Sequence, residues 1–270
     1  MGIDRRHLFA AIAGAGAVGA ATNAQSAPTR DGPRAEIDAA TLGLRPNATE
    51  DQTQVFQRAI EQTAAARAVL RLAPGFYRAG SLVLPSYTSI AGVAGATRIV
   101  MAGGPSMLSA AGSDYITVSG LVLDGAGIPL PERRGLLHFS RGRFVRVANC
   151  EIVGAGRNGI YLESIAGEVT GNTIAAGDIA IFSIDARGLR IDANTINGAG
   201  NGGILVWRST PGDDGTLVVD NRIENICKQI RRLRRVGQCH QHFPRRQRHC
   251  ARQSHPQCGL DWAEMPSIPG

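Results

Sequence analysis

Between residues 144 and 226 the apolar and polar positions recur in blocks rather than along one continuous amphipathic run. Val147-Ala148-Asn149-Cys150-Glu151-Ile152 is followed 22 residues later by Val169-Thr170-Gly171-Asn172-Thr173-Ile174. A further 22 residues bring Ile191-Asp192-Ala193-Asn194-Thr195-Ile196, and Asp220-Asn221-Arg222-Ile223 repeats the unit after a step of 27. Short β-branched runs at a period near 22 predict the stacked coils of one solenoid. Two strands are expected in each coil. One passes through Val147, Val169 and Ile191; the other covers 159–164, 181–186 and 203–208. Held at a strict 22-residue step, the second strand has two inward rows, Ile160/Phe182/Ile204 and Leu162/Ile184/Val206. Ile174 and Ile196 are expected to stack inside adjacent coils.

Polar positions follow the same step. Cys150, Asn172, Asn194 and Asn221 form one row, in which amide side chains can hydrogen-bond from coil to coil inside a turn. Arg146, Glu168 and Arg190 form a second row of alternating sign. Neighbouring strands lie about 4.8 Å apart, so opposite charges there can pair on the solvated face.

Upstream the pattern changes. Val55, Phe56, Ala59, Ile60 and Thr63 share one face at helical spacing, and Thr49 and Gln52 have the spacing of a capping box. A helix over 49–66 is expected, closing the end of the solenoid. Short strands should follow at 69–72, 81–84, 89–90, 97–101, 115–118 and 121–123, separated by Gly or Pro. His138 is placed by a 24-residue alignment of Leu121, Leu123, Gly135 and Leu136 with Val145, Val147, Gly159 and Ile160. In that register it matches Leu162 and points inward.

The segment Leu44-Arg45-Pro46-Asn47, then Asp51-Gln52-Thr53, Gln57-Arg58-Ala59-Ile60 and Leu72-Ala73-Pro74-Gly75-Phe76-Tyr77 resembles the N-terminal cap of right-handed parallel β-helix proteins of the pectate-lyase-like superfamily. The Asn-x-Ile and Gly-Ile coils continue the resemblance to about residue 226. It implies an all-β, right-handed parallel β-helix with an N-terminal capping helix over residues 27–226, and contact with polysaccharide or a cell-envelope glycan. It names no reaction, because one solenoid carries lyases, hydrolases, epimerases and binding proteins. The Asn-Thr-Asp and Gly-His-Gly signatures of polygalacturonase-like hydrolases are absent, and Asp213-Asp214 sits in a Pro-Gly-Asp-Asp-Gly turn.

The first 26 residues read as an export signal. Asp4-Arg5-Arg6-His7-Leu8-Phe9 leads into a mildly apolar Gly/Ala stretch to Ala21, and small residues follow to Ser26. The paired arginines resemble a twin-arginine signal. The chain is thus similar to twin-arginine-translocated β-helix repeat proteins, which implies the twin-arginine translocase as a partner and the periplasm or the exterior as destination. No stretch of the mature chain approaches the roughly 20 apolar residues of a membrane span.

Charge isolates the other end. The chain carries a net charge of +7, yet residues 1–226 hold 20 basic and 20 acidic residues, so the whole excess lies in 227–270. A nucleic-acid reading of the repeats therefore has no electrostatic support. Four of the five cysteines and four of the six histidines also lie beyond 226. Three readings of this segment compete: a basic tail, a Cys/His metal site and out-of-frame translation. The metal reading lacks Cys-x-x-Cys spacing. If the first base of the Cys227 codon is dropped, permitted codons let 237–255 end in Gly-Asn-Arg-Ile, the motif of 220–223. The expectation is a frame change after Ile226 that cuts the solenoid short.

Candidate chemistry is sought on the outward row of the second strand. At the 22-residue step Glu163 and Asp185 are neighbours, flanked by Tyr161 and Trp207, with Arg208 at the strand end. Two adjacent carboxylates would raise one pKa and could act as acid and base on a glycosidic bond, as in a polysaccharide lyase or glycoside hydrolase. They could instead hold a cation such as Ca²⁺; no other cofactor is indicated. Tyr161, Trp207 and Arg208 are expected to bind the sugar. A non-catalytic envelope scaffold, and a truncated product without function, are the competing readings.

Overall fold

A computed structural model describes residues 34–226. The export signal and the basic segment from 227 onward lie outside the described residues. Residues 34–226 form an all-β, right-handed parallel β-helix of about 7 turns with about 23 residues per turn. Every pairing is parallel, and strands of successive coils stack into three sheets.

The first sheet has eight strands: Glu36–Asp38, Val69–Arg71, Ser89–Ala91, Ile116–Ser119, Val145–Ala148, Gly167–Thr170, Leu189–Asp192 and Leu217–Val219. The second has seven: Gly75–Ala79, Thr97–Met101, Val122–Asp124, Glu151–Ala155, Thr173–Ala176, Thr195–Ala199 and Arg222–Ile226. The third has six: Leu82–Val83, Leu108–Ala111, Gly135–Ser140, Asn158–Glu163, Ile179–Ile184 and Gly202–Trp207. Each coil thus has three strands where the repeat indicated two. The additional one begins directly after the Asn row, and its inward residues are Ile152, Ile174 and Ile196, each fully buried.

In the first sheet the 22-residue step holds. Val147, Val169 and Ile191 are in register, as are Arg146, Glu168 and Arg190. Arg146 pairs with Glu168, while Arg190 turns to Asp192 at 3.3 Å. Ile174 stands opposite Ile196, as expected.

The Asn row closes the bend between the first and second sheets. Asn194 Nδ2 donates to Val169 O and to Asn221 Oδ1, both at 2.9 Å. Its Oδ1 accepts from Asn172 N at 3.0 Å and Asn172 Nδ2 at 2.9 Å. Asn172 Oδ1 in turn accepts from Cys150 N at 2.9 Å. A wholly buried amide is thereby satisfied at both ends. Cys150 occupies the row without contributing an amide. Burial pushes its thiol up to about 11, so it remains protonated.

The helix spans Thr53–Ala65 and buries Phe56, Ala59, Ile60, Thr63 and Ala64 against the first coils. It starts later than the expected capping box. Gln52 turns its side chain to the backbone of Arg45, donating to the carbonyl at 2.9 Å and accepting from the N–H at 2.8 Å. Asp51 Oδ1 accepts from Thr53 N at 2.8 Å instead. Gln52 is buried, and satisfying a buried amide outweighs a solvent-facing cap.

Candidate functional site

The third sheet departs from the uniform repeat, and the cause is one residue. In the second sheet Ile152, Ile174 and Ile196 are aligned, but register then shifts. Ala155 stands opposite Ala176, and Ala176 opposite Ala199. Gly154 and Gly198 adopt left-handed φ values of 61° and 90° in the two longer strands. Each strand there has one residue more than Thr173–Ala176, the signature of a β-bulge. The following steps become 21 and then 23 residues: Ile160 pairs with Ile181 and Ile181 with Ile204. A one-residue shift moves a strand's side chains to the opposite face.

The consequences are specific. Phe182 and Ile184, expected inside, face outward in line with Tyr161 and Glu163. Ser183 takes the inward place between Leu162 and Val206, where its hydroxyl has no partner. Glu163 stands opposite Ile184, which stands opposite Trp207. Asp185 lies one residue beyond its strand, in a bend with φ of 52°. The expected side-by-side pair of Glu163 and Asp185 is therefore not formed. The Asp185 carboxylate accepts from Ser209 N at 2.7 Å and Ser209 Oγ at 2.8 Å. These bonds hold it below the usual carboxylate range, with the backbone N–H contributing most; this is opposite to the rise expected of a carboxylate pair.

Arg208 directly follows the strand Gly202–Trp207, at the strand end as expected. Its guanidinium packs beside Gly212, and Nε and Nη1 are sealed from solvent without a hydrogen-bond partner. Among the described residues no three His, Cys, Asp or Glu side chains converge as a metal site would require.

His138 is outward rather than inward. It pairs with Tyr161 at a 23-residue step, because Leu121 and Leu123 align with Cys150 and Ile152, and the longer connection 125–134 absorbs the difference. Its ring stacks on Tyr161 at 5.1 Å and 15°, and Tyr161 stacks on Phe182 at 4.9 Å and 22°. Burial, aided by the charge of Arg134, pushes the imidazole down to about 4, so it is neutral at physiological pH.

These outward side chains floor an open cleft of about 230 Å³. Tyr161, Phe182, Ile184 and Trp207 form the floor, and Trp207 is 55% exposed. One wall rises from the turns that enter the third-sheet strands. Glu132, Arg157 and Asp178 come from three successive coils, with the Arg157 guanidinium 3.9 Å from Glu132 and 3.7 Å from Asp178. The Asp178 N–H donates to Arg157 O at 2.9 Å, and Asn201 N to Asp178 O at 2.9 Å, so the wall keeps step with the coils. Arg133, Asn158 and Ile179 complete the lining. An apolar floor beside a wall of hydrogen-bonding groups suits a ligand with one flat apolar face and many hydroxyls.

Of the expected site residues, the structure brings Tyr161 and Trp207 together on this face, with Glu163 beside them; Asp185 lies in the bend beyond its strand, and Arg208 directly follows the last strand. The wall residues were not singled out by sequence. Their one signal is that Arg157, Asp178 and Asn201 occupy the same turn at the 21- and 23-residue steps.

Residues 108–228 match a family model described as the right handed beta helix region. No curated protein matches the sequence significantly. Similar solved structures include the A-module of a mannuronan C-5 epimerase from Azotobacter vinelandii. It is 17% identical over 70% of this chain and 61% of the module, with a TM-score of 0.56. A hyperthermoactive exopolygalacturonase from Thermotoga maritima is 16% identical over 72% of this chain and 61% of its own, with a TM-score of 0.54. A protein from Geobacillus virus E2, ORF18, is 14% identical over 71% of this chain and 41% of its own, at 0.51. The chain thus spans about three fifths of the epimerase module and of the exopolygalacturonase. At these identities the likeness is one of fold: the coils of this chain are those of a right-handed parallel β-helix.

Proposed function

We propose that this chain is an exported glycan-binding protein that holds a stretch of polysaccharide along the outer face of the third sheet. The observation that carries this reading is the groove itself. An aromatic and aliphatic floor from Tyr161 to Trp207 lies beside the polar wall of Glu132, Arg157 and Asp178. Both follow the solenoid axis over several coils, so the groove offers repeated contacts to a repeating chain. The two enzymes of similar fold, an epimerase of mannuronan and an exopolygalacturonase, fit that reading. Binding rather than bond cleavage is proposed, because the paired carboxylates that would perform acid and base chemistry do not come together.

The test is a glycan array probed with the chain and with Trp207→Ala. Removing the exposed indole should weaken binding about tenfold, or about 1.4 kcal/mol. Equal signals from the two proteins would locate binding elsewhere. Silence of the array to a folded chain would favour an envelope scaffold. Export through the twin-arginine route belongs to the same proposal, and it rests on Arg5-Arg6 and the apolar stretch after them.

A further inference from the structure

The groove's charges restrict what it can take, and this inference rests on the binding reading above. Arg157 is the cation at the centre of the wall, and it is already flanked by two carboxylates from neighbouring coils, Glu132 and Asp178. The far edge of the floor carries Glu163, with Asp185 just beyond it held in the ionised form by Ser209. Arg208 is packed against Gly212 with two of its nitrogens sealed, and its charge acts on Asp185, helping to hold that carboxylate below the usual range. Arg133 is exposed and pairs with no carboxylate among the described residues. Among the lining residues two acids, Glu132 and Asp178, match two cations, Arg133 and Arg157, and the central cation Arg157 already stands between both acids.

A polyuronate brings one carboxylate per sugar. To be held by Arg157 at the centre of the wall, it would have to draw that guanidinium away from Glu132 and Asp178 while approaching both acids. Like charges brought together across an interface cost several kcal/mol and act as a selectivity device. A neutral sugar meets no such penalty. Its hydroxyls can donate to the two carboxylates and accept from the guanidinium, strengthening hydrogen bonds that involve charged groups. Its apolar face can lie on Trp207 and Phe182. We propose that the groove selects uncharged, hydroxyl-rich glycans and rejects polyuronates, with the Glu132–Arg157–Asp178 wall as the discriminating element.

The test compares calorimetric binding of the full chain to neutral xylan, mannan and β-glucan oligosaccharides with binding to oligogalacturonate and oligomannuronate, each with and without Ca²⁺. At least one neutral series should bind more than about tenfold tighter than either uronate. Asp178→Asn removes one acid and leaves Arg157 with one partner instead of two. Its side chain makes no hydrogen bond within the described residues, so the fold should be retained. This variant should shift the neutral-to-uronate ratio toward uronates by about tenfold. Wild-type preference for a uronate, with or without Ca²⁺, would overturn the selectivity while leaving the binding reading in place. An unchanged ratio in Asp178→Asn would remove the wall as its source. Failure of a folded chain to bind any of these glycans would overturn both.

Discussion

At the scale of single residues, the molecule depends on polar groups that burial leaves no alternative partners. Asn194 is 1% exposed and makes four hydrogen bonds through its amide. Asn194→Ala would strip Asn172 N of its partner inside the solenoid and remove one hydrogen bond to Val169 O and one to Asn221 Oδ1. Unsatisfied buried groups cost about 1–3 kcal/mol each, so the variant should lose roughly 2–4 kcal/mol in urea unfolding. A loss below 0.5 kcal/mol, about the level of surface substitutions, would show that the ladder is ornamental. His138 makes a prediction with a sign. Its folded pKa of about 4 lies below the ordinary 6.5, so the unfolded chain binds the proton more readily. Stability contributed by the neutral ring is complete above pH 6.5 and is lost as pH falls toward about 4. His138→Phe keeps a ring against Tyr161 and removes the titration. The unfolding midpoint of the variant should therefore fall less than that of the wild type between pH 7 and 4.5. Parallel pH profiles would show that His138 does not titrate as buried.

At the scale of the strand, legibility followed repetition. The first sheet and the Asn row could be read from sequence because Val147, Val169 and Ile191 recur without insertion, and each coil repeats the same inward contact. The third sheet could not, because Gly154 and Gly198 add a residue that the total coil length conceals: steps of 21 and 23 average to 22. Averaging placed Phe182 inside and Glu163 beside Asp185. Ser183 concealed the shift, because the 22-residue step put this polar residue on the outward row, where a hydroxyl is expected, whereas the structure places it inside. The strands Gly75–Ala79 and Leu108–Ala111 were missed for a related reason. The first begins at Gly75, directly after Pro74, where a Pro-Gly pair reads as a break between strands, and the second contains only one large apolar residue. Ile196 tests the part that was legible. It is fully buried between Ile174 and Ile223, and Ile196→Ala should cost about 2–5 kcal/mol. A cost near zero would mean that the last coils are loosely packed around it.

At the scale of the whole molecule, the proposed export signal precedes a solenoid whose groove runs with the solenoid axis. Replacing Arg5 and Arg6 with Lys should leave the precursor in the cytoplasm, as judged by fractionation, because the mildly apolar stretch that follows offers little to a general secretion route. Unchanged export of the double variant would remove the twin-arginine assignment. In the proposed complex a glycan lies on the third sheet over Trp207. The chain has two tryptophans, Trp207 and Trp262, so a Trp262→Phe variant makes the groove its own fluorescent probe. Titration with neutral glycan oligosaccharides should produce a saturable change in Trp207 emission, with a blue shift as the exposed indole is covered. Glycan binding detected by calorimetry without any change in Trp207 emission would contradict the placement of the ligand on this face.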